Sequence, residues 1–502
     1  MYSDPVIKTP PLLAFAKICL MGGLTALAGW CAYRFGLATD TLAIVAVCIF
    51  IAVISTTLFF STHRVAVAFL GVAVLIGSRA MTLQGLLRST ELNIILFLIG
   101  MMIIVGGLKD LGFFTWIIQL IINKKKMTGP TFTVILCVLS ALLSSLIGEL
   151  SSIVVVLALV FQVCDTLKIR STPFVLIAVL CTNIGSAAMM LGNPVGIFVG
   201  NKAGFSFIQF LLGALPIALV SLAATVLVVL LWYRKSIAEM SQKMEEHRKV
   251  NQGLGPMIRI PHRRGFVALM ATFLLIAFHH QIENILGITG AENTNALLII
   301  TPLLIAGLLM LYRPQRARYY VEHEVEWWTL LFFLLLFAVA GGLQEQGVTG
   351  KLADRLATIT TGGPQALVPF VIGITAIGSA FVDNIVFVAA FNPVIQSLMT
   401  HSPDYSILWW ALLFGACFGG NITVVGSTAN IVALGQLERR GHAHIAFFEW
   451  LKIGLLIGAL TGVLTWGMLR VTDMPRPDQP SADVKAAAAP PGAQPASPLP
   501  VQ

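Results

Sequence analysis

Charged residues are scarce in this sequence. Asp, Glu, Lys and Arg make up 11% of its 502 residues, whereas hydrophobic residues make up 57%. A soluble domain usually has roughly 25% charged residues, so the composition excludes an ordinary soluble fold. Apolar runs of about 20 residues, the length that a helix needs to cross a bilayer, recur along the chain. We therefore expect an all-α polytopic membrane protein.

Motifs of several enzymes and pumps are absent as well. The sequence contains no HExxH zinc-binding pair, no GxSxG nucleophile turn and no Walker A phosphate loop. An ATP-driven pump would therefore need a separate ATPase subunit. An intramembrane enzyme is the alternative from another class, because buried acids also occur in membrane proteases.

The cysteines form no disulfide or metal pattern. None belongs to a CxxC pair, and all seven lie in apolar segments: Cys19, Cys31, Cys48, Cys137, Cys164, Cys181 and Cys417. Isolated apolar cysteines are typical of small core residues, and no cofactor is expected.

Composition divides the chain into five segments. These are an N-terminal span (1–40), a first repeat (41–232), a basic cytoplasmic loop (233–264), a second repeat (265–470) and a Pro/Ala-rich tail (471–502) that should be disordered. Ala26-Leu27-Ala28 resembles a signal-peptidase site. The apolar run before it is long for a signal peptide, so we expect a retained first span.

The two halves carry matching residues in one register. A single shift aligns Glu91 with Glu326, Phe97 with Phe332, Gly106 with Gly341, Ser144 with Ser379 and Glu149 with Asn384. This agreement indicates an internal duplication of the kind found in secondary transporters.

Basic residues predict the orientation. If the N-terminus is cytoplasmic and the split regions 129–165 and 366–400 are re-entrant hairpins, most of the 32 Lys and Arg residues fall inside, as the positive-inside rule requires. This also accounts for the net charge of +9 without a nucleic-acid partner. We expect two inverted repeats in the inner (plasma) membrane, with about 11 transmembrane helices, two re-entrant hairpins, two broken helices and the C-terminus outside.

Two apolar stretches are interrupted by helix-breaking and polar residues. Residues 182–196 contain three glycines, two asparagines and a proline, and residues 419–430 contain three glycines and two asparagines. Hydrocarbon cannot satisfy the backbone groups that such residues release, so these breaks must be buried in protein or line a cavity. Matched interruptions in two halves predict a substrate site.

Each predicted hairpin also carries a carboxylate in the middle of its apolar stretch, Glu149 in the first and Asp383 in the second. A charge at that depth costs a few kcal/mol or more, so both acids are predicted to face a cavity, a partner or an ion. A protonated carboxyl hydrogen-bonded inside the bundle is the alternative.

Inverted repeats should bring the hairpin tips and breaks together near the midplane. Half-helix N-termini suit an anion, while carboxylate and amide oxygens suit a proton or a hard cation. The residues predicted to bind substrate or ion are Glu149, Ser151, Ser152, Asn183, Gly185, Ser186, Gly192, Asn193, Pro194, Asp383, Asn384, Asn421, Thr423, Gly426, Ser427, Thr428 and Asn430. A sodium ion is expected near Glu149, Asn193, Asn384 and Asn430.

Several motifs resemble those of the ion transporter superfamily. They are residues 419–430 (GGNITVVGSTAN), 381–385 (FVDNI), 90–93 (TELN) and 325–333 (VEWWTLLFF). The nearest branch includes arsenite permeases, the melanosomal P protein, NhaD-type sodium/proton antiporters and citrate-transporter-like permeases. The resemblance implies an inverted-repeat fold related to that of divalent-anion/sodium symporters, elevator-like movement and a homodimer.

Departures from that pattern limit the substrate prediction. The first tip has Gly148-Glu149 where relatives often have Asp-Asn, and residues 192–196 read GNPVG where many have GDPPN. The Ser-Asn-Thr clamps of carboxylate symporters are absent from both tips, so a dicarboxylate is less expected than the fold alone suggests. We predict a secondary active transporter of a small ion, preferably an anion, driven by a proton or sodium gradient. A sodium/proton antiporter is the alternative.

Overall fold

All regular secondary structure in the described part of the chain is helical. The computed structural model describes residues 11–122, 127–249, 263–286, 296–359, 363–440 and 445–476, and these ranges contain no β-strand. An all-α polytopic architecture is therefore confirmed.

Twelve helices precede residue 250. They are α1 (Pro11–Arg34), α2 (Thr41–Phe59), α3 (Arg64–Gly77), α4 (Leu83–Ser89), α5 (Leu92–Asp110), α6 (Phe113–Ile122), α7 (Gly129–Ile147), α8 (Glu149–Leu167), α9 (Thr172–Ser186), α10 (Pro194–Ala203), α11 (Phe207–Trp232) and α12 (Arg234–Lys249). A short 3₁₀ turn, Ser61–His63, joins α2 to α3.

Eleven more helices follow among the described residues. They are α13 (Arg263–Ala277), α14 (His279–Leu286), α15 (Ala296–Tyr312), α16 (Pro314–Tyr319), α17 (Trp327–Glu345), α18 (Val348–Ile359), α19 (Pro364–Ser379), α20 (Asn384–His401), α21 (Ile407–Gly419), α22 (Thr428–Arg439) and α23 (Phe447–Val471). A π-helical turn, Tyr320–Glu324, and a 3₁₀ turn, Pro403–Ser406, complete the described elements.

Many of these helices are suited to a bilayer. Among the described residues, eight helices are long and apolar enough to cross a membrane, and six shorter helices are also apolar. Helices α7 and α8, which form the first predicted hairpin, are among the eight. Their length alone does not show whether they cross fully, so the re-entrant hairpins and the number of crossings stay predictions.

All four interruptions predicted from the sequence are present. Helix α7 ends at Ile147 and Gly148 separates it from α8, while α19 and α20 are separated by residues 380–383. The gap between α9 and α10 covers residues 187–193, and the gap between α21 and α22 covers residues 420–427. Gly148 has φ = +88°, which a glycine adopts without strain.

The two halves use the same close packing beside their breaks. A Cβ on Gly185 of α9 would overlap the backbone of Ala141 on α7, and a Cβ on Gly419 of α21 would overlap that of Ala376 on α19. Glycine is needed at both positions for the helices to approach. The order of helices also corresponds between α5–α11 and α17–α23. The inverted orientation of the two repeats stays a prediction.

Part of the predicted basic loop over residues 233–264 is helical. Helix α12 occupies Arg234–Lys249 and buries Ile237, Met240 and Met244. These residues recur at helical spacing, so they form one apolar face. Ser241 on this helix accepts a hydrogen bond from the Gly129 N–H at the start of α7, at 2.9 Å. Residues 250–262 lie outside the described part.

The ends of the chain are described only in part. Helix α1 packs against α2, and residues 1–10 lie outside the described part. At the start of the predicted disordered tail, the Pro475 carbonyl accepts a hydrogen bond from Trp410 Nε1 at 3.3 Å. Residues 477–502 of that tail also lie outside the described part.

Candidate functional site

A cavity of about 80 Å³ lies where the hairpin tips meet the broken helices. We call it the central cavity. Both tips contribute to its lining, with Gly148–Ser151 from one half and Asp383–Ile385 from the other. Its apolar wall comes from α5 and α17, including Met101 and Phe333. A cavity of this size holds a few water molecules or one small ion.

Four helices begin at the central cavity. Their first residues, Glu149 of α8, Pro194 of α10, Asn384 of α20 and Thr428 of α22, all line it. Helix N-termini carry a partial positive charge and present backbone N–H groups. Their convergence gives the cavity a positive backbone potential that suits an anion.

The first hairpin tip is tied to the break beside it. The Glu149 N–H donates to the Gly192 carbonyl at 3.0 Å, and the Ser152 hydroxyl donates to the Glu149 carbonyl at 3.0 Å. The Glu149 side chain is buried, and its Oε2 has no hydrogen-bond partner among the residues that the structure describes. A buried carboxylate oxygen without a partner is costly, so this atom is available to a proton or an ion.

The second tip carries a carboxylate that is paired. Asp383 Oδ2 lies 3.7 Å from Nη1 of Arg64, which is at the start of α3. The Arg64 guanidinium also lies over the Phe332 ring of α17, 4.7 Å from its centroid. The neighbouring Asn384 Oδ1 accepts a hydrogen bond from the Ser379 hydroxyl at 2.6 Å. The acids of the two tips therefore have different surroundings.

Asparagines join the broken helices of the two halves. Asn183 Nδ2 donates to Asn421 Oδ1 and to Asn430 Oδ1, both at 2.9 Å. Asn430 Nδ2 in turn donates to the Gly420 and Thr423 carbonyls, both at 2.8 Å. These bonds satisfy backbone groups that the break in α21–α22 releases.

The break between α9 and α10 is held in a similar way. Asn193 caps α10, because its Oδ1 accepts from the Gly196 N–H at 2.7 Å. Asn193 Nδ2 donates to Ser186 Oγ at 2.8 Å and lies 3.0 Å from Cys417 Sγ on α21. The caps and the asparagine contacts thus fix both breaks against each other.

Comparison with known proteins identifies the family. Residues 49–415 match the family described as citrate transporter. The chain belongs to the citrate transporter family. The resemblance to the ion transporter superfamily is thereby confirmed, and the chain is a multi-pass membrane transporter. This family membership points away from an enzyme.

Proteins similar to this chain are found in bacteria and in animals. An uncharacterized transporter of Mycobacterium tuberculosis is 30% identical over 436 residues, which cover 84% of this chain and 97% of the relative. An uncharacterized transporter of Mycobacterium bovis is 32% identical over 432 residues, covering 84% and 96%. The human P protein is 25% identical, covering 83% of this chain and 58% of that protein.

The structure places some of the predicted site residues around the central cavity. The predicted residues that line the central cavity are Glu149, Ser151, Asn193, Pro194, Asp383, Asn384 and Thr428. The others lie behind the lining, in the hairpins and breaks, and are Ser152, Asn183, Gly185, Ser186, Gly192, Asn421, Thr423, Gly426, Ser427 and Asn430. Asn430 lies outside the lining and has both amide hydrogens engaged, so it holds the break rather than facing the cavity.

Two contributions were missed by the sequence analysis. One is Arg64, whose pairing with Asp383 joins segments that are far apart in the sequence. The apolar wall from α5 and α17 was also missed, because its residues look like ordinary membrane-facing side chains. The register that aligns Phe97 with Phe332 was the one available signal for those helices.

Proposed function

We propose that this protein is a secondary active transporter that moves a small oxyanion or carboxylate through the central cavity, coupled to a proton or a sodium ion. The observation that carries the proposal is the unpartnered Oε2 of Glu149, which belongs to a residue lining a cavity where four helix N-termini meet. The N-termini attract the anion. Glu149 takes the coupling cation.

The charges around the cavity explain why transport would be coupled. Two carboxylates, Glu149 and Asp383, line it, and no Lys or Arg is among the described lining residues. Like charges about 4 Å apart repel by about 4 kcal/mol at an effective dielectric of about 20. An anion therefore binds well only after Glu149 has been neutralised, so cation and anion affinities are linked.

Both the site and the family support the class of anion that we propose. The family is described as citrate transporters, and carboxylate or oxyanion groups suit helix N-termini. At about 80 Å³ the central cavity is small, so a tricarboxylate would enter only if the tips moved apart. We assign that movement to an elevator-like shift of the hairpins and broken helices against α5 and α17.

Sodium/proton antiport is the second candidate. It is favoured by the same pair of lining carboxylates, since a cation exchanger needs acids and no anion. In that case Glu149 and Asp383 would bind proton and sodium in turn. For either candidate we also propose that the protein lies in an inner membrane with its N-terminus in the cytoplasm. We further propose that it assembles as a homodimer.

Ligand-dependent thermal stability tests the proposal. Citrate, sulfate and phosphate are added to the purified chain with and without sodium, at pH 6 and pH 8. A ligand at about 100 times its Kd stabilises the folded state by about 2.7 kcal/mol. We expect stabilisation by at least one anion that depends on sodium or on low pH. In Glu149→Gln, whose neutral amide replaces the carboxylate, the anion should stabilise without either cation.

The control is Asp404→Asn, which removes an exposed carboxylate from the turn after α20 and should keep the cation dependence. Stabilisation by sodium or protons alone, with no response to any anion, would favour antiport. An unchanged cation requirement in Glu149→Gln would remove Glu149 from the coupling.

A further inference from the structure

Two acids occupy the same position in the two halves of the chain. Glu91 directly precedes α5, and Glu326 directly precedes α17. The shift that aligns the halves places one on the other. The helix dipole favours an acid at a helix N-terminus, which accounts for the residue type at both positions. It does not account for their different surroundings.

Glu91 is neutralised by a basic residue. Its carboxylate forms an ion pair with Lys202 of α10, and both residues line a polar cavity of about 450 Å³. No residue of that lining belongs to the lining of the central cavity. Glu91 is therefore paired and lies apart from the central cavity.

Glu326 contacts the wall of the central cavity. The Thr329 hydroxyl donates a hydrogen bond to Glu326 Oε2 at 3.4 Å, and the Glu326 N–H donates to Met102 Sδ at 3.5 Å. Thr329 and Met102 both line the central cavity. Glu326 is partly exposed, whereas Thr329 is buried. The acid thus lies between the protein surface and the cavity wall.

No basic residue forms an ion pair with Glu326 in the part of the chain that the structure describes. The positive charges that act on it are those of Arg64 and Lys109. Arg64 pairs with Asp383, and Lys109 pairs with Glu324. An acid in an ion pair keeps its negative charge, whereas an unpaired acid that is mostly removed from water can gain and lose a proton.

The same acid interacts electrostatically with the two acids of the central cavity. The charges of Asp383 and Glu326 both act on Glu149, so Glu326 is close enough to respond to the state of the residue that we assign to coupling. Glu149 Oε2 is buried without a partner among the described residues, and a proton that reaches it needs a route through the protein.

The contacts of Glu326 supply the parts of such a route. The central cavity, at about 80 Å³, holds a few water molecules, and its lining includes both Thr329 and Glu149. A hydroxyl group both donates and accepts hydrogen bonds. It can therefore accept a proton from one neighbour and release its own to another.

We propose that Glu326 is a second proton-carrying residue, which supplies Glu149 through the Thr329 hydroxyl and the water of the central cavity. Protonated Glu326 gives its proton to Thr329 Oγ1, Thr329 releases its own proton to the cavity water, and this water protonates Glu149. Water at the protein surface then reprotonates Glu326, so one proton enters for each that arrives. The inference rests on the proposed function, because it takes Glu149 as the coupling residue, and it specifies a proton as the coupling ion.

Time-resolved infrared spectroscopy tests the route without relying on transport. The purified chain is moved rapidly from an alkaline to an acidic buffer, and the C=O stretching band of protonated carboxyl groups is followed. The part of this band that is missing from Glu149→Gln reports protonation of Glu149. We expect Glu326→Gln to slow its appearance by about tenfold or more, because a positioned acid accelerates proton transfer. The final intensity of the band should be retained.

Two further variants separate proton transfer from folding and charge. Thr329→Val keeps the shape of the side chain and the charge of Glu326 but removes the hydroxyl, so it should slow the Glu149 band as Glu326→Gln does. Thr329→Ser keeps the hydroxyl and should retain the wild-type rate. Added imidazole, a diffusible proton carrier that is not an anion, should restore the rate in Glu326→Gln. A purely structural defect would not respond to imidazole.

The matched control is Glu91→Gln, which removes the equivalent acid of the other half. A second control is Glu322→Gln, which removes an exposed carboxylate from the π-helical turn just before Glu326. Neither variant should slow protonation of Glu149, because neither acid contacts the wall of the central cavity.

Two results would overturn the inference alone. One is an unchanged rate in both Glu326→Gln and Thr329→Val, and the other is equal slowing in Glu91→Gln or Glu322→Gln. If Glu149→Gln removes no part of the band, Glu149 takes no proton. The inference is then wrong, while sodium coupling through Glu149 survives. The proposed function fails by a different result, an unchanged cation requirement for anion binding in Glu149→Gln.

Discussion

The ion pair between Arg64 and Asp383 should couple the second hairpin tip to α3. The charged atoms are 3.7 Å apart, and the two side chains are only 13% and 15% exposed. Two unit charges at that distance attract by about 4.5 kcal/mol at an effective dielectric of about 20, and the cost of desolvating both groups offsets much of this. Arg64→Gln leaves Asp383 uncompensated, and should cost about 3 kcal/mol.

A double-mutant cycle measures the pair directly. Asp383→Asn keeps an acceptor for the Ile385 N–H, which the Asp383 side chain now caps at 3.4 Å, so it removes mainly the charge. We expect Arg64→Gln and Asp383→Asn together to cost less than the sum of the two, with a coupling energy of about 1–3 kcal/mol. The assay is denaturant unfolding of the purified chain in detergent micelles.

The control in this cycle is Arg64→Lys. It keeps the charge and loses the planar guanidinium that lies over Phe332, so it should retain part of the coupling to Asp383. Additive costs of Arg64→Gln and Asp383→Asn, within about 0.5 kcal/mol, would show that the two side chains do not interact, and the reasoning about the second tip would be wrong.

Two further predictions concern the breaks. Gly185→Ala should destabilise the protein by about 1–3 kcal/mol, because its Cβ would overlap the α7 backbone. The control is Gly435→Ala in α22, where nothing lies within 4 Å of the added Cβ. It should be neutral or stabilising by up to about 1 kcal/mol. Equal unfolding temperatures for these two variants would contradict the packing. Asn183→Leu should cost about 2–4 kcal/mol, because it strands the buried Asn421 and Asn430 oxygens. An unfolding temperature unchanged from the wild-type chain would show that the asparagine contacts do not hold the breaks together.

The interruptions could be predicted from the sequence because their causes are local. Glycine at 148, asparagine and proline at 193–194 and serine at 427 each end or begin a helix through their own backbone and side-chain chemistry. The acids at 149 and 383 could be predicted in the same way, because a charged side chain in an apolar stretch carries a large free-energy cost.

The partners of those residues could not be predicted in the same way. Arg64 and Asp383 are far apart in the chain, and no local pattern selects one basic residue among many for the pair. The asparagines were predicted as ligands because their amide groups suit an ion. In the structure Asn183 Nδ2 donates to Asn430 Oδ1 and Asn430 Nδ2 donates to the broken backbone, while Asn183 Oδ1 has no hydrogen-bond partner among the described residues.

Helix α12 shows a different limit. Its charge content favoured a loop, and its apolar residues Ile237, Met240 and Met244 were too few to outweigh the charge. Packing against α7 stabilises this helix, which its composition alone does not favour. An explicit test for helical spacing over 234–249 would have found this helix.

The most direct test of coupled transport is anion accumulation in proteoliposomes with an imposed inward proton or sodium gradient and no ATP. We predict that the wild-type chain concentrates citrate or phosphate above its equilibrium level while the gradient lasts, and that Glu149→Gln abolishes this gradient-driven accumulation. If the wild-type chain never exceeds equilibrium under either gradient, or if Glu149→Gln accumulates the anion as the wild type does, then Glu149 is not the residue that links the two fluxes.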